Sequence, residues 1–165
     1  MSTTDEVLKA NEEYVRNFDL GELKAPPARR LAIVACMDAR MTVEQIAGLK
    51  AGDAHIIRNA GGVVTDDVIR SLLISHHLLG TNEWLIIEHT GCGMLTFKDE
   101  DLIGRLEQET GVVAHAPSHF HAFDDLETNL RRQIAKVRAH PWVPKEIPVR
   151  GLVYDVGTGR LNEVV

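Results

Sequence analysis

Leu31-Ala32-Ile33-Val34-Ala35-Cys36-Met37-Asp38-Ala39-Arg40 divides into two halves with different physical demands. Leu31 to Ala35 is a short unbroken apolar run, the pattern of a strand buried on both faces. From Cys36 onward the chain turns polar, with an acid and a base two residues apart. An inert buried cysteine is ordinarily followed by more core. The change of character therefore marks Cys36 as a strand end that opens onto something other than packing.

Working outward, the same kind of run recurs between helical patterns. Thr42 with Gln45 three residues later resembles a capping box, opening a helix that ends near Gly48 to Gly52. Ala54 to Ile57 reads as a second strand. Thr65 starts a helix with Val68, Leu72, Leu73 and Leu79 inward, closed by Gly80. Trp84 to Ile87 is a third buried strand, and Asp99 to Glu109 a helix ended by Gly111. A longer helix runs from Asp124 to Ala139. Val149 to Tyr154 is a fourth strand, and after the turn at Gly157-Thr158-Gly159, Leu161 to Val164 returns as an antiparallel edge. Strands alternating with helices give an α/β fold. It has a mostly parallel central sheet of four strands plus an antiparallel edge strand, with helices on both faces.

Upstream, Thr4 to Phe18 sets Val7, Leu8, Tyr14, Val15 and Phe18 near one helical face, with Thr3 or Thr4 as its cap. Gly21 and Pro26-Pro27 separate this helix from the sheet. Residues 1–165 thus form a single domain, with 1–27 as an N-terminal helical arm and tether. A lone amphipathic helix on such a tether lays its apolar face on its own domain or on a partner subunit.

Composition narrows the function. A formal net charge of −6 speaks against nucleic acid as the main partner. No apolar stretch reaches the roughly 18 residues of a membrane span. The N-terminus has no basic start followed by an apolar run, so the expected location is the cytoplasm. Two cysteines in 165 residues are too few for a disulfide framework. They are either two buried thiols or part of a metal site.

Open α/β sheets bind ligands at the carboxyl ends of their strands. Cys36 follows the first strand and His89 follows the third. His89-Thr90-Gly91-Cys92 is a two-ligand clip, since a gap of two residues on a tight turn lets both side chains face one ion. Alone, H-x-x-C arises often by accident. A third donor, Cys36, on a neighbouring strand end completes a Cys2His set, and thiolate softness favours Zn2+ over magnesium or calcium. Three protein ligands leave one position open, which marks a catalytic rather than a structural site. Asp38 and Arg40 are, on their own, a plain strand-end salt bridge; beside Cys36 they are candidates to orient a reacting group.

Cys36-Met37-Asp38-Ala39-Arg40 resembles the C-x-D-x-R motif of the β-class carbonic anhydrase family. His89-Thr90-Gly91-Cys92-Gly93 resembles that family's H-x-x-C-G motif, and Arg58-Asn59-Ala60-Gly61 its R-N-x-G segment. Order and approximate spacing agree over about Leu31 to Tyr154, as in compact members of the family. The resemblance implies a zinc lyase with Cys36, His89 and Cys92 as metal ligands and Asp38 and Arg40 as the catalytic pair. Gly61 and Gly62, read as close backbone packing along the pocket, would be the substrate-binding residues. It implies hydration of carbon dioxide to bicarbonate by a zinc-bound hydroxide, in a homodimer or homotetramer. Carbonyl sulfide hydrolase is a close relative within the family, so hydrolysis of that linear molecule is the alternative. A zinc-binding protein without turnover is the second alternative, against which Asp38 and Arg40 both argue.

The chain departs from the family pattern at Glu88, where a small or less charged residue is usual; it either points to solvent or supports the site from behind. The run before Cys36 contains Ile33 and Val34 and no tryptophan, so the resemblance does not extend to the non-catalytic bicarbonate site that some members build beside one. His115, His119 and His121 read as a solvated loop, and His76 and His77 as packing or surface residues. Gly61-Gly62 is followed by no Lys-Ser/Thr pair, which sets aside a P-loop.

Overall fold

In a computed structural model, which describes residues 2–165, the apolar runs become the inner strands of one sheet. The strands are β1 (Leu31–Cys36), β2 (Ala54–Asn59), β3 (Glu83–His89), β4 (Val149–Tyr154) and β5 (Leu161–Glu163). Their order is β2-β1-β3-β4-β5, parallel from β2 to β4, with β5 antiparallel to β4. The helices are α1 (Thr3–Arg16), α2 (Val43–Ile46), α3 (Asp66–His77), α4 (Asp99–Thr110) and α5 (Leu126–Ala139).

This order, which periodicity alone left open, decides where chemistry can occur. From β1 the chain winds outward to β2, then crosses back over β1 to place β3 on its other side. β1 and β3 therefore flank the point where the winding reverses, and the connections leaving their carboxyl ends diverge to leave a crevice. Ala35 pairs with Ile87, which brings Cys36 and His89 to adjacent strand ends at that crevice.

Side-chain alternation sends Ala32, Val34, Trp84 and Ile86 to one face of the sheet, under α3 and α5. Ile33, Ala35 and Ile87 point to the other, where Val43 of α2, Met94 and Phe123 cover them. Each fully buried Leu or Ile contributes about 1.5–3 kcal/mol of transfer free energy. Leu72, Leu130 and Ile134, together with Ile86 from the sheet, concentrate much of that gain on the α3–α5 face. A Cβ on Gly151 would stand 3.0 Å from Leu130 Cγ and 2.5 Å from Ile134 Cδ1. Glycine at this point of β4 is what lets α5 lie so close.

Several local expectations change. The cap of α1 is Ser2, not Thr3 or Thr4: its hydroxyl accepts from the Asp5 N–H, and the Asp5 carboxylate accepts from the Ser2 N–H. Beginning one residue earlier closes a complete capping box. Thr42 makes no side-chain cap bond, because its ψ of 87° is far from the extended geometry that aims a hydroxyl at the first turn. The helix it precedes is accordingly a single turn, held by burial of Met41 and Val43. The last helix, α5, begins at Leu126 rather than Asp124, with Asp125 as its cap, accepting from the Thr128 N–H at 2.8 Å. Strands β2 and β3 run two residues further than their apolar cores, to Asn59 and His89.

Between α4 and α5 the chain is fastened by Asp99, whose carboxylate accepts from the N–H groups of Phe120, His121 and Ala122. His115, His119 and His121 lie exposed on this stretch. His76 and His77 lie near backbone carbonyls of Thr81 and Trp142, consistent with packing and surface roles. Among the described residues no helix is long and apolar enough to cross a membrane.

Candidate metal centre

The ends of β1 and β3 and the turn after β3 bring Cys36, His89 and Cys92 together. Their donor atoms all lie within 4.8 Å of one another, and all three residues are buried. The His89 Nδ1 is 3.0 Å from the Thr90 carbonyl oxygen, which can only accept. Nδ1 therefore carries the proton and Nε2 presents its lone pair. That Nε2 is buried and has no hydrogen-bond partner in the protein, a state that ordinarily carries a cost. Two soft sulfurs and an aimed, otherwise unsatisfied imidazole nitrogen make a donor set suited to Zn2+. Among the described residues this is the one group of three or more metal-type donors; the exposed histidines around residue 120 form none.

The charge balance of the pocket also favours a cation. A hydrogen bond from the Cys92 thiol holds Cys36 down, while the same interaction and burial push Cys92 up. The pair thus keeps one thiolate readily available. Hydrogen bonding toward the Cys36 sulfur raises the His89 imidazole against the lowering effect of burial, and the charge on that sulfur adds to it.

Asp38 and Arg40 stand at the mouth as a two-pronged ion pair. Arg40 Nε donates to Asp38 Oδ1 at 2.9 Å and Nη2 to Oδ2 at 2.7 Å, and the Arg40 backbone N–H adds a third bond at 2.9 Å. The Arg40 guanidinium and backbone hold the Asp38 carboxyl well below the usual carboxylate range. Asp38 Oδ2 lies 3.6 Å from His89 Nε2, so the carboxylate faces the donor trio while Arg40 restrains it. Arg40 Nη2 also reaches the Gly91 carbonyl at 3.2 Å, tying the first motif to the turn that carries Cys92.

The R-N-x-G segment contributes more than its glycines. Arg58 Nε donates to the Cys36 carbonyl at 2.9 Å and Nη2 to the Asp38 carbonyl at 2.7 Å, clamping the backbone on which both side chains ride. Gly61 lines the cleft, of about 640 Å³, with Cys36, Asp38, Arg40, Ala60 and Met94. Gly62 is packed beneath it. Its φ is +65°, and a Cβ there would fall 2.9 Å from the Cys36 nitrogen and 3.2 Å from the Ile87 oxygen. Backbone atoms cannot retreat, so only glycine fits.

Of the two possibilities left open for Glu88, exposure to solvent is excluded. The residue is 1% exposed, and its Oε1 accepts from Asn129 Nδ2 at 2.7 Å. Burial pushes its carboxyl up to about 8, against the opposing pull of Asn129. Position at a strand end alone could not choose between the two readings of Glu88. The signal that could have placed it was alternation: in a strand buried on both faces, the neighbour of an inward-facing ligand also faces inward, toward the opposite layer.

Comparison with known proteins agrees with this geometry. A family model described as carbonic anhydrase matches residues 31–161. The chain is 47% identical over 165 residues to β-carbonic anhydrase 1 of Mycobacterium tuberculosis, covering 99% of each. It is 37% identical to carbon disulfide hydrolase of Saccharolobus solfataricus, covering 96% of this chain and 87% of the other. The crystal structure of carbonic anhydrase from Streptococcus mutans superposes with a TM-score of 0.94 at 45% identity, covering 100% of this chain and 99% of that one. Matched by the family model over residues 31–161 and by a 47% identical relative over nearly the whole length of both chains, this chain belongs to the β-class carbonic anhydrase family.

Proposed function

We propose that this chain catalyses the reversible hydration of carbon dioxide to bicarbonate, with zinc held by Cys36, His89 and Cys92. The observation that carries the reading is the buried, partnerless His89 Nε2 beside two cysteine sulfurs, with the Asp38–Arg40 pair facing it. When bound, the ion supplies Lewis-acid activation of water at neutral pH. The chain's own residues do the rest. Asp38, kept ionised, offers a hydrogen-bond acceptor at the mouth of the site. Arg40 fixes the direction of that acceptor with two parallel bonds. Arg58 holds the backbone of Cys36 and Asp38, and Gly61 lines the cleft in which a small linear substrate can lie.

A second reading, hydrolysis of carbonyl sulfide, draws support from the carbon disulfide hydrolase relatives, whose substrate is also a linear molecule with carbon between two chalcogens. A zinc-binding protein without turnover is the third, and it leaves the Asp38–Arg40 pair without a purpose. The test is one zinc-loaded preparation assayed side by side with carbon dioxide, carbonyl sulfide and carbon disulfide. Carbon dioxide is expected to give the largest kcat/KM, in the range of about 10⁴–10⁸ M⁻¹s⁻¹ common to enzymes. A larger value with a sulfur-containing substrate transfers the assignment to that hydrolysis, and zinc without turnover on any of them removes the enzymatic reading.

We also infer a homodimer or a larger even assembly, in the cytoplasm, where two neighbouring free thiols stay reduced. No residue of α1 is buried, and Val7, Leu8, Tyr14, Val15 and Phe18 are between 50% and 62% exposed. An apolar helical face left bare within its own subunit calls for a second copy. Light scattering at micromolar concentration is expected to report twice the monomer mass or more. A monomer throughout would overturn this.

A further inference from the structure

Behind the metal centre, on the α5 side of the sheet, a line of buried polar groups runs from Glu88 to the backbone that carries Gly61 and Gly62. Val64 donates its N–H to Gln133 Oε1 at 2.8 Å. Gln133 Nε2 donates to Asn129 Oδ1 at 2.9 Å, and Asn129 Nδ2 donates to Glu88 Oε1 at 2.7 Å. Gln133, Asn129 and Glu88 are 8%, 3% and 1% exposed. Asn129, Gln133 and Lys136 fall at positions i, i+4 and i+7 of α5, on one face of the helix. Lys136 Nζ completes the grip by donating to the Val64 carbonyl at 2.6 Å.

Every bond in this line points the same way. A backbone N–H can only donate, so Gln133 must present its oxygen to Val64 and its NH2 group to Asn129. Asn129 must then do the same, and the line can end only on an acceptor. Glu88 supplies it, from the residue next to the candidate ligand His89. The other end reaches the site through three peptides. Val63 is held by both side-chain atoms of Asn59, and Gly62 rests against the nitrogen of Cys36. A shift in Val64 has little room to be absorbed before it reaches Gly61, which lines the cleft.

We propose that Glu88, Asn129 and Gln133 form a positioning relay that sets the Gly61–Gly62 segment against the ends of β1 and β3, and so fixes where the substrate lies. The role in catalysis rests on the hydration activity proposed above; the mechanical role does not. Low-dielectric surroundings make such a line stiff when complete and costly when cut.

Two readouts on the zinc-loaded chain separate these levels. The first is amide hydrogen exchange at Val64. In Glu88→Leu, whose substitution lies three hydrogen bonds away, exchange at Val64 is expected to accelerate at least about tenfold, whereas Glu88→Gln, which keeps an acceptor oxygen, stays near the parent rate. The second is the split of kcat and KM for carbon dioxide. KM should rise about five- to tenfold in Glu88→Leu with kcat per bound zinc nearly unchanged, and Glu88→Gln should restore it; this size is that of a modest misplacement in the site. Asn129→Leu cuts the same line from a surface-layer helix and replaces Glu88→Leu if that variant does not fold. Unchanged Val64 exchange in the cut variants would overturn the relay. Accelerated exchange with unchanged KM would overturn its role in placing the substrate. A parent chain inactive on carbon dioxide would sink the hydration reading alone, leaving the exchange data to decide the relay.

Discussion

Replacing Cys92 by alanine is expected to lower zinc from about one ion per chain to a small fraction of that, and to abolish carbon dioxide hydration with it. With three protein donors there is no spare ligand, so losing one leaves His89 and Cys36 to hold the ion as a weak two-point site. Zinc held by a full protein ligand set is worth about 10–16 kcal/mol at neutral pH in small structural domains. Even a third of that, lost with one thiolate, lowers affinity by about two hundredfold to several thousandfold. Alanine fits the space without strain, since Cys92 is a small buried residue before a 3₁₀ turn, so the fold survives the change. Elemental analysis and the hydration assay on the same sample give both quantities. A Cys92→Ala protein with full zinc would mean that the ion sits elsewhere, and the assignment of all three ligands would fall.

The candidate trio that the structure brings together was legible in the sequence because each member belongs to a short local pattern. Two residues separate His89 from Cys92, and the apolar run before Cys36 stops where the polar motif begins. The sheet was legible for the same reason, since an unbroken apolar run needs cover on both faces whatever its neighbours are. Strand order was not, because pairing β3 with β1 rather than with β2 depends on how a crossover packs. The relay behind the site was hidden more deeply. Glu88 meets Asn129 across 41 positions of sequence, and Gln133 meets Val64 across 69. No local pattern records such pairs. Asn129 and Gln133 taken alone look like the solvated face of an amphipathic helix. The caps fell between these extremes: Thr3 and Ser2 are equally able to cap, and the choice between them is set by one further hydrogen bond at a free helix end.

Arg40→Ala is expected to retain zinc and to lose about a hundredfold in turnover at pH 7, the scale of a group displaced by about an ångström in a site. Asp38 is restrained by three bonds from Arg40, one of them to its backbone N–H. Alanine removes the two guanidinium bonds and the bond to Gly91, and leaves a carboxylate oxygen already 3.6 Å from His89 Nε2 free to turn inward. A carboxylate is itself a zinc ligand, and one that takes the open position excludes the water that must react there. The protonation state of Asp38 does not account for the loss. The Arg40 guanidinium and backbone N–H depress the Asp38 pKa, and without the guanidinium it rises only toward the ordinary aspartate value near 3.9, so the group stays ionised from pH 6 upward in both proteins. The pH dependence that should appear comes from competition. Solvent hydroxide grows a hundredfold between pH 7 and 9 and contends with the carboxylate for the same place, so the Arg40→Ala protein should recover part of its activity as pH rises. Asp38→Asn has the opposite signature: it keeps zinc, cannot close the site with a charged ligand, and loses activity at every pH because an amide is a poorer hydrogen-bond acceptor than a carboxylate. Stopped-flow hydration across pH 7–9, normalised to zinc content, distinguishes the two variants from each other and both from Cys92→Ala. Near-normal activity of Arg40→Ala over that range would refute the restraint, and the ion pair would then be an ordinary exposed salt bridge of about 0–1 kcal/mol.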